Sequence, residues 1–331
     1  MAMQTRRELL NRVAPRDELV NVPEFEAEAE RVLAAGVFRL LAGGDRAAYE
    51  RVTFRPRMMV NCLGLDLSLD LLGLPLFAPI VVGPIEDQRR FHPDGERATV
   101  RGAGAGQAAV IVSSRSSQPL AAVAAAATTP LLFQTFAADG AAKVRAQARE
   151  AQSAGGKAIV VTVDAPEAAG RRPSRLDWSA VDAVRGAVSI PVIAKGVLSA
   201  AEATAAVARG AQGLVVSSYG RPPAPGQPAP LDAVASIVAA AGPQVPVLVD
   251  GGVRRGSDVM KALALGARAV LVARPVMWGL AAYGADGVQS VIELLQTELG
   301  RVMGCCGTPN LGAITSAHVR VHGAPPASSA V

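Results

Sequence analysis

Cysteine is scarce in this chain of 331 residues, and long apolar runs are absent from it. The three cysteines, Cys62, Cys305 and Cys306, lack the spacing of metal ligands, and so few predict neither a disulfide framework nor an oxidising compartment. Half of the residues are hydrophobic, but the alanine-rich run around 121–127 is too short and too weakly apolar to span a bilayer. We therefore expect no membrane-spanning segment.

Aromatic residues make up only 4% of the chain, and only four of its 33 basic residues are lysine. The net charge is +5, and no basic run alternates with aromatic residues, so we do not expect nucleic-acid binding. The first residues include Arg6, Arg7 and Arg12 but no apolar segment followed by a small-residue cleavage site. The sequence therefore predicts no secretory signal, a cytoplasmic location and a small-molecule substrate.

The length fits one β/α barrel of about 250 residues with terminal extensions. We predict a polar lead-in over 1–20, the barrel over 21–321 and a disordered tail over 322–331. Within the barrel unit, a helix is expected from Glu24 to Leu41 and an irregular arm of short strands or loops over 52–75.

From residue 76 onwards, short apolar runs alternate with segments of helical periodicity. The eight predicted strands are Leu76–Val82, Ala109–Ser113, Leu131–Thr135, Ala158–Val163, Val192–Lys195, Gly213–Ser217, Val247–Asp250 and Ala269–Ala273. The predicted helices are His92–Ala105, Leu120–Ala127, Gly140–Ala154, Trp178–Ala187, Ala200–Arg209, Leu231–Ala241, Ser257–Leu265, one after Pro275, and Val288–Met303. Eight units at regular spacing favour an α/β fold, a (β/α)8 TIM barrel with an N-terminal helix and arm and a C-terminal helix, over a doubly wound sheet.

The stretch VLVDGGVRRGSDVMKALALGARAVLVARP, residues 247–275, reads as strand, helix and strand. Gly251 and Gly252 follow the first strand and allow backbone amides to approach a ligand closely. Arg254, Arg255 and Arg274 supply cationic forks. Phosphate sites after the last two strands are common in β/α barrels, so we predict an anion site, most simply for a phosphate.

Polar residues follow the other predicted strands, and the carboxyl ends of barrel strands carry the chemistry of this fold. These residues are Glu86, Asp87, Ser113, Ser114, Arg115, Gln134, Thr162, Asp164, Lys195, Ser217, Ser218, Tyr219, Asp250, Arg254 and Arg274. Together they predict a polar ring around one mouth of the barrel.

From Asn21 to Val319 the chain resembles the FMN-dependent 2-hydroxy-acid oxidases and dehydrogenases. The resemblance is carried by residues 247–275 and supported by FRPRMM at 54–59, HPDGE at 92–96, TVDAP at 162–166 with GRR at 170–172, and IAKGV at 193–197. It implies an FMN cofactor held by Pro84, Ile85, Ser113, Gln134, Thr162, Lys195, Ser217, Asp250, Gly251, Gly252, Arg254, Ala273 and Arg274. It also implies a homo-oligomer, commonly a tetramer.

Within that resemblance, Asp250, Gly252, Arg254 and Arg274 would hold the phosphate and ribitol end of FMN. Ser113, Gln134 and Thr162 would face the isoalloxazine edge. Lys195 would lie near N1 and O2 of the ring, where a cation stabilises the negative charge of reduced flavin.

The chain departs from the family pattern at its catalytic positions. The family's catalytic histidine follows the sixth strand in Ser-Asn-His-Gly, and here the text is SSYG, which puts Tyr219 in its place. A tyrosine of unperturbed pKa, about 10, is a poor base near neutral pH. The family's two tyrosines correspond to Leu40 and Phe136, its Pro-Thr-Ala segment to Pro84, Ile85 and Glu86, and a tryptophan to Arg115.

The resemblance implies that some capacity to bind a carboxylate survives, since Arg172 matches one carboxylate-binding arginine of the family and Arg221 is the candidate for the second. Only about twenty residues separate Arg172 from Pro191, where the family carries a long lid, so we expect an open mouth. Glu86, tuned by burial against Arg115, is a candidate replacement base. We therefore expect an FMN-dependent oxidoreductase of altered specificity, for a larger hydroxy acid, amine or amide; a non-redox isomerase or dehydratase and a catalytically silent FMN-binding protein stay open as alternatives.

Overall fold

Eight parallel strands close into a barrel in the computed structural model, which describes residues 13–44, 46–164, 176–221 and 227–323. Around the barrel the order is β10, β11, β4, β5, β6, β7, β8 and β9, so each strand from β4 to β10 pairs with the next along the chain and β11 closes the barrel on β4. The strands of the described chain are β1 (Val52–Phe54), β2 (Leu69–Leu71), β3 (Leu74–Leu76), β4 (Ile80–Val82), β5 (Val110–Ser113), β6 (Leu131–Phe136), β7 (Ile159–Thr162), β8 (Val192–Val197), β9 (Gly213–Val216), β10 (Val247–Asp250), β11 (Ala269–Val272) and β12 (Val319–Val321). The predicted (β/α)8 barrel is confirmed.

Helices follow the barrel strands and cover the outside of the barrel. They are α1 (Val22–Val32), α2 (Ala35–Phe38), α3 (Ala47–Glu50), α4 (Gly95–Ala105), α5 (Leu120–Ala126), α6 (Ala141–Ser153), α7 (Ser179–Arg185), α8 (Ala200–Ala208), α9 (Pro230–Ala241), α10 (Gly256–Ala264) and α11 (Arg274–Cys306). Short 3-10 turns lie at Arg16–Glu18, Gln88–Arg90, Ala137–Asp139, Leu311–Ala313 and Ser316–His318. None of these helices is both long and apolar enough to cross a membrane.

The barrel interior is a packed apolar core. Because side chains alternate along a strand, each barrel strand sends at least one residue to a common inner cluster and the neighbours of that residue outward to the helices. The larger inner residues of these strands are Val81, Ile111, Leu132, Val160, Ile193, Val215, Leu248 and Leu271.

One end of the barrel is closed by the β2–β3 hairpin, whose Leu69, Leu71 and Leu76 join the same inner cluster. Arg268, which immediately precedes β11, donates a hydrogen bond to the carbonyl of Asp70 in this hairpin. The hairpin therefore plugs the end where the strands begin. Any site must lie at the opposite end, where the strands finish.

Two predicted elements differ from the structure. The apolar run Leu76–Val82 is the end of the hairpin and the first barrel strand, separated at Pro79, which has no amide hydrogen for a strand ladder. The helix predicted over Glu24–Leu41 is broken after Val32, because Leu33 and Ala34 are extended. The two last predicted helices are both present within α11, separated by a kink with non-helical backbone at Tyr283 and Gly284.

Candidate active site

A cavity of about 320 Å³ opens where the barrel strands end. Its lining residues come from the ends of β5, β6, β10 and β11, from β8, from the loops after β4, β9, β10 and β11, from the start of α11 and from the segment that follows α2. They are Leu40, Leu41, Pro84, Ile85, Glu86, Arg90, Phe91, Ser113, Gln134, Phe136, Lys195, Tyr219, Gly220, Asp250, Gly251, Gly252, Val253, Arg254, Leu271, Val272, Ala273, Arg274 and Pro275. The cavity is cationic at one end and apolar at its mouth.

The cationic end is built by the turn after β10 and the start of α11. Gly251 and Gly252 have φ of 109° and 78°, which side chains rarely adopt, so the turn requires glycine. Arg254 and Arg274 converge here, and Arg274 is the first residue of α11, whose free amides favour an anion.

Arg254 is almost fully buried. Its Nη2 donates to the Gly43 carbonyl at 2.6 Å and its Nη1 to the Val253 carbonyl at 2.8 Å, while Arg274 also contacts backbone carbonyls. Among the described residues, no carboxylate lies within 4 Å of either guanidinium. Burial, and then the neighbouring charge of Arg274, lower the pKa of Arg254 to about 10. Two adjacent cations without a counter-ion form a site for an anion.

The segment after α2 closes the outside of this anion site. Gly44, with φ of 133°, lies so close that an added Cβ would be 2.7 Å from Nη2 of Arg254 and 3.2 Å from Nη2 of Arg274. Its neighbour Gly43 has φ of 66° and open space around it. The two glycines therefore differ in what they contact.

We expect Gly44→Ala to weaken anion binding at this end by roughly 10-fold or more, because both arginine tips must move away from the place where they hold the ligand. Gly43→Ala is the matched control, since it carries backbone strain of about 1 kcal/mol but displaces no side chain. Fluorescence titration with the ligand of this site measures both. Equal losses in the two variants would contradict the assignment.

A second set of contacts braces the turn from behind. The Asp258 carboxylate accepts hydrogen bonds from the backbone amides of Arg254 and Arg255 and pairs with Arg46 at 3.2 Å. The buried Tyr49 hydroxyl donates to the Gly251 carbonyl at 3.1 Å. Helix α3 and the residue before it therefore hold the glycine turn in shape.

Lys195 lies at the centre of the cavity floor and is 3% exposed. Its ammonium donates to Oγ of Ser217 and pairs with Oδ2 of Asp250, each at 2.8 Å. Ser217 in turn donates to Asp250 at 2.9 Å and accepts the backbone amide of Tyr219 at 3.1 Å. Ser217 and Asp250 hold the buried ammonium of Lys195 in place, and the hydrogen bond from its backbone amide to Ser217 orients Tyr219.

Tyr219 projects from the end of β9 in a left-handed conformation, with φ of 57°. Its ring meets Phe136 edge to face, with centroids 6.3 Å apart. Burial, and then the nearby charge of Glu86, raise the pKa of Tyr219 above its ordinary value. The phenol therefore stays protonated near neutral pH and is not a base there.

None of the chain's three histidines, His92, His318 and His322, lines the cavity. His92 accepts the amide of Asp94, His318 contacts Thr315 and His322 contacts Thr53. No imidazole is therefore placed to remove a proton from a molecule in the cavity.

No phenolate should form in the folded protein below about pH 10, since all three tyrosines have raised pKa values. Burial is the main cause for Tyr49, Tyr219 and Tyr283, and it brings the pKa of Tyr283 to about 12. A phenol with a raised pKa keeps its neutral form to higher pH. An ultraviolet pH titration checks this, and a phenolate near neutral pH that disappears in Tyr219→Phe would refute it.

Known proteins are similar to this chain over most of its length. The model of the FMN-dependent dehydrogenase family matches residues 41–175 and 169–321. The chain belongs to this family. The peroxisomal (S)-2-hydroxyacid oxidase GLO3 of Arabidopsis thaliana is 33% identical over 352 residues, covering 92% of this chain and 97% of that protein. Glycolate oxidase of Spinacia oleracea is 32% identical over 365 residues, covering 95% and 99%.

Solved structures of mandelate oxidase have the same fold. The complex with (S)-2-phenylpropionate is 36% identical with a TM-score of 0.84, covering 91% of this chain and 98% of that one. The complex with 3,3-difluoro-2-hydroxy-3-phenylpropionic acid has a TM-score of 0.86 at 36% identity, covering 92% and 100%. This chain is accordingly an FMN-dependent oxidoreductase of the hydroxy-acid oxidase type.

The cavity fits FMN, the cofactor of this family. Arg254 and Arg274, without a carboxylate partner among the described residues, suit its phosphate, and the strained glycine turn leaves room for close backbone approach. The buried ammonium of Lys195 suits a ring that becomes negative on reduction. These residues would hold the cofactor along the cavity.

The structure brings most of the predicted cofactor residues together. Pro84, Ile85, Ser113, Gln134, Lys195, Asp250, Gly251, Gly252, Arg254, Ala273 and Arg274 all line the cavity. Thr162 and Ser217 lie one hydrogen bond behind it, on Gln134 at 2.7 Å and on Lys195 at 2.8 Å. Arg255 points elsewhere, to Glu298, so the expectation that it joins the anion site is wrong.

The predicted substrate residues are less closely grouped. Arg221 binds the carbonyl and the carboxylate of buried Asp164, each at 3.0 Å, and does not line the cavity. Arg115 lies flat on the Phe136 ring, with its guanidinium carbon 3.8 Å from the centroid. Glu86 lines the cavity 3.5 Å from Arg115, but its side chain is 51% exposed, so the expectation of burial is wrong. Arg172 lies outside the described residues.

Sequence reasoning missed Arg90 and Phe91, which line the cavity in the same loop as Glu86, a member of the predicted polar ring. Arg90 pairs with Asp87 in the short turn after β4. It also missed the carbonyls of Ala42 and Gly43 at the anion site. The identity of a residue does not show where its backbone carbonyl points, so the acceptors at Ala42 and Gly43 could not be predicted. The charged residues at 86–90, in contrast, were visible in the sequence.

Proposed function

We propose that this protein oxidises a larger hydroxy acid, an amine or an amide-type substrate, by FMN-dependent chemistry that uses no histidine base. The observation that carries the proposal is the absence of all three histidines from the cavity lining, with a protonated phenol, Tyr219, at the end of β9. Bound FMN supplies a two-electron acceptor. The residues that line the cavity must supply the rest of the chemistry.

Oxidation removes two electrons and two protons from the substrate. One proton leaves from carbon together with the electron pair, and the second leaves from oxygen or nitrogen. In the family a histidine takes the second proton, as the resemblance implies. A neutral amine needs no base at the moment of transfer, because the nitrogen lone pair stabilises the positive carbon and its N–H proton can later pass to water.

Glu86 is the group at the mouth that suits a proton acceptor for a hydroxy substrate. Its carboxylate lines the cavity and lies 3.5 Å from Arg115, a distance that leaves it loosely paired. Asp250, in contrast, is held by Lys195 and Ser217. Of these two carboxylates, Glu86 is therefore the one that suits the acceptance of a proton from the substrate.

The apolar mouth supports a larger substrate than glycolate or lactate. Leu40 and Phe136, the residues at the family's tyrosine positions, both line the cavity, and neither carries a hydroxyl for a carboxylate. Arg221 is engaged by Asp164. A mandelate oxidase variant of the same fold has been solved with 2-hydroxy-phenylacetamide, an uncharged relative of mandelate. Such a ligand needs apolar contact more than a carboxylate clamp.

Product mass tests the proposal. FMN-loaded protein is incubated with α-hydroxy amides, bulky 2-hydroxy acids and benzylic amines, and the products are examined by mass spectrometry. We expect a product lacking two hydrogen atoms or, from an amine, the carbonyl compound and ammonia that form when water hydrolyses the imine product. A product of unchanged mass, or one lacking water, would contradict oxidation and support the isomerase or dehydratase alternative; no conversion of any member of the panel would support a silent FMN-binding protein.

A further inference from the structure

Glu96 is a buried carboxylate outside the cavity, at the second position of α4, and is 2% exposed. Among the described residues it has no cationic partner within 4 Å. Its Oε1 accepts the backbone amides of Gln88 at 3.1 Å and Ser117 at 2.8 Å, and its Oε2 accepts the Ser117 hydroxyl at 2.5 Å. A buried charge of this kind is stable because several donors and the start of a helix face it.

The donors come from two different loops. Gln88 belongs to the loop after β4, and Ser117 belongs to the loop after β5. The loops also meet directly, since the Asp87 amide donates to the Arg115 carbonyl at 3.0 Å and the Arg89 amide to the Ser117 hydroxyl at 3.2 Å. One carboxylate therefore joins two loops that α4 and β5 separate along the chain.

The first loop forms part of the cavity wall, and the second supports that wall from behind. The first carries Ile85, Glu86 and Arg90, which line the cavity. The second carries Arg115, which lies on the ring of the cavity residue Phe136. The side chain of Gln88 adds a further tie, because it donates to the Ile85 carbonyl at 3.2 Å while accepting from Thr99 of α4.

We propose that Glu96 is a positioning residue that locks these two loops into one rigid wall of the active site. It sets where Glu86 and the Arg115–Phe136 pair stand relative to the bound molecule. The inference goes beyond the proposed function, because it holds whichever substrate is oxidised.

The chemistry requires a carboxylate and not merely a polar group at this position. The two backbone amides can only donate, and the Ser117 hydroxyl, which already accepts the Arg89 amide, gives its own proton to residue 96, so both oxygens of residue 96 accept. An amide would turn an N–H group towards the Ser117 oxygen and would leave the buried hydroxyl proton without its acceptor. The loops would then be less firmly anchored to each other while α4 kept its own backbone hydrogen bonds.

Hydrogen exchange of the FMN-loaded protein tests the inference with Glu96→Gln. We expect the amides of Gln88 and Ser117 to exchange together and roughly 10-fold faster, because the charge-assisted bond from each is replaced by a weaker, neutral one. Visible circular dichroism of bound FMN should change as the wall shifts, whereas FMN affinity should stay within about 3-fold, because the anion end has separate contacts. Asp94→Asn is the matched control, a carboxylate-to-amide change just before α4 at an exposed residue that binds Arg97 and Arg101.

Two outcomes would overturn the inference. In one, Glu96→Gln leaves the exchange of both loops and the dichroism unchanged. In the other, exchange rises throughout α4 and FMN affinity falls in parallel, which would indicate general loosening. If Glu96→Gln does not fold, hydrogen exchange and the dichroism of bound FMN are measured on Ser117→Ala instead. That variant removes only the hydroxyl between Glu96 and Arg89.

Discussion

Replacing Tyr219 with histidine is expected to raise the rate at which (S)-mandelate reduces the bound flavin by about 100-fold or more. A positioned general base contributes about 10²- to 10⁴-fold to such steps, and the wild-type cavity contains no histidine. An imidazole of ordinary pKa, about 6.5, is mostly deprotonated near neutral pH, whereas the pKa of Tyr219 is raised by burial. Histidine also tolerates the left-handed backbone found at this position.

The gain should appear in the rate at saturation more than in the affinity for mandelate. Leu40 and Phe136 still lack hydroxyls, and Arg221 still pairs with Asp164, so carboxylate binding is not restored. Stopped-flow measurement under anaerobic conditions separates the two quantities. Tyr219→Phe is the control: it removes the hydroxyl, keeps the ring on Phe136 and should bring no gain.

The prediction would be contradicted by a Tyr219→His variant that binds FMN normally and reduces it no faster with mandelate than the wild type does. It would also be contradicted if Tyr219→Phe alone brought the same gain. Either result would mean that something other than a missing base limits oxidation of 2-hydroxy acids in this cavity.

Arg254→Gln is expected to weaken FMN binding by about 100-fold. The buried guanidinium stands beside Arg274 without a carboxylate partner among the described residues, and hydrogen bonds to a charged partner contribute about 1.5–3 kcal/mol each. At about 1.4 kcal/mol per tenfold change, the loss of two such bonds accounts for this factor. Fluorescence titration of the flavin-free protein measures it.

The adjacent arginine is the matched control for this change. Arg255 is half exposed and bonds the Glu298 carboxylate at 2.8 and 2.9 Å, a surface pair that contributes about 0–1 kcal/mol. Arg255→Gln should leave FMN affinity within about 3-fold of the wild type. A loss of similar size in both variants, or none in Arg254→Gln, would mean that the phosphate is held elsewhere.

Those two arginines also show where sequence reasoning stops. Adjacent side chains on extended backbone point to opposite sides, and only the path of the chain decides which one faces the cavity. The barrel itself was predictable, because eight alternations of apolar strand and helix favour few other folds. The errors lie where periodicity is ambiguous, as at Leu76–Val82, where one apolar run contains the end of a hairpin and the start of a barrel strand.

The substrate side was the least predictable part of the site. Arg221 was expected to face a substrate carboxylate, but a buried aspartate 57 residues earlier in the chain takes its guanidinium. Long-range pairing of this kind leaves no local pattern. The missing histidine, by contrast, was visible in SSYG at 217–220, and the structure adds that no other histidine takes its place at the cavity.

The most direct test of the central claim is the rate at which different substrates bleach the FMN-loaded protein in the absence of oxygen. The panel compares glycolate, lactate and mandelate with 2-hydroxy-phenylacetamide, bulky 2-hydroxy acids and benzylic amines. Oxidation without a histidine base predicts slow bleaching by the short hydroxy acids and faster bleaching by at least one member of the second group. Rapid bleaching by glycolate, lactate or mandelate, or a protein that cannot be loaded with FMN, would contradict it.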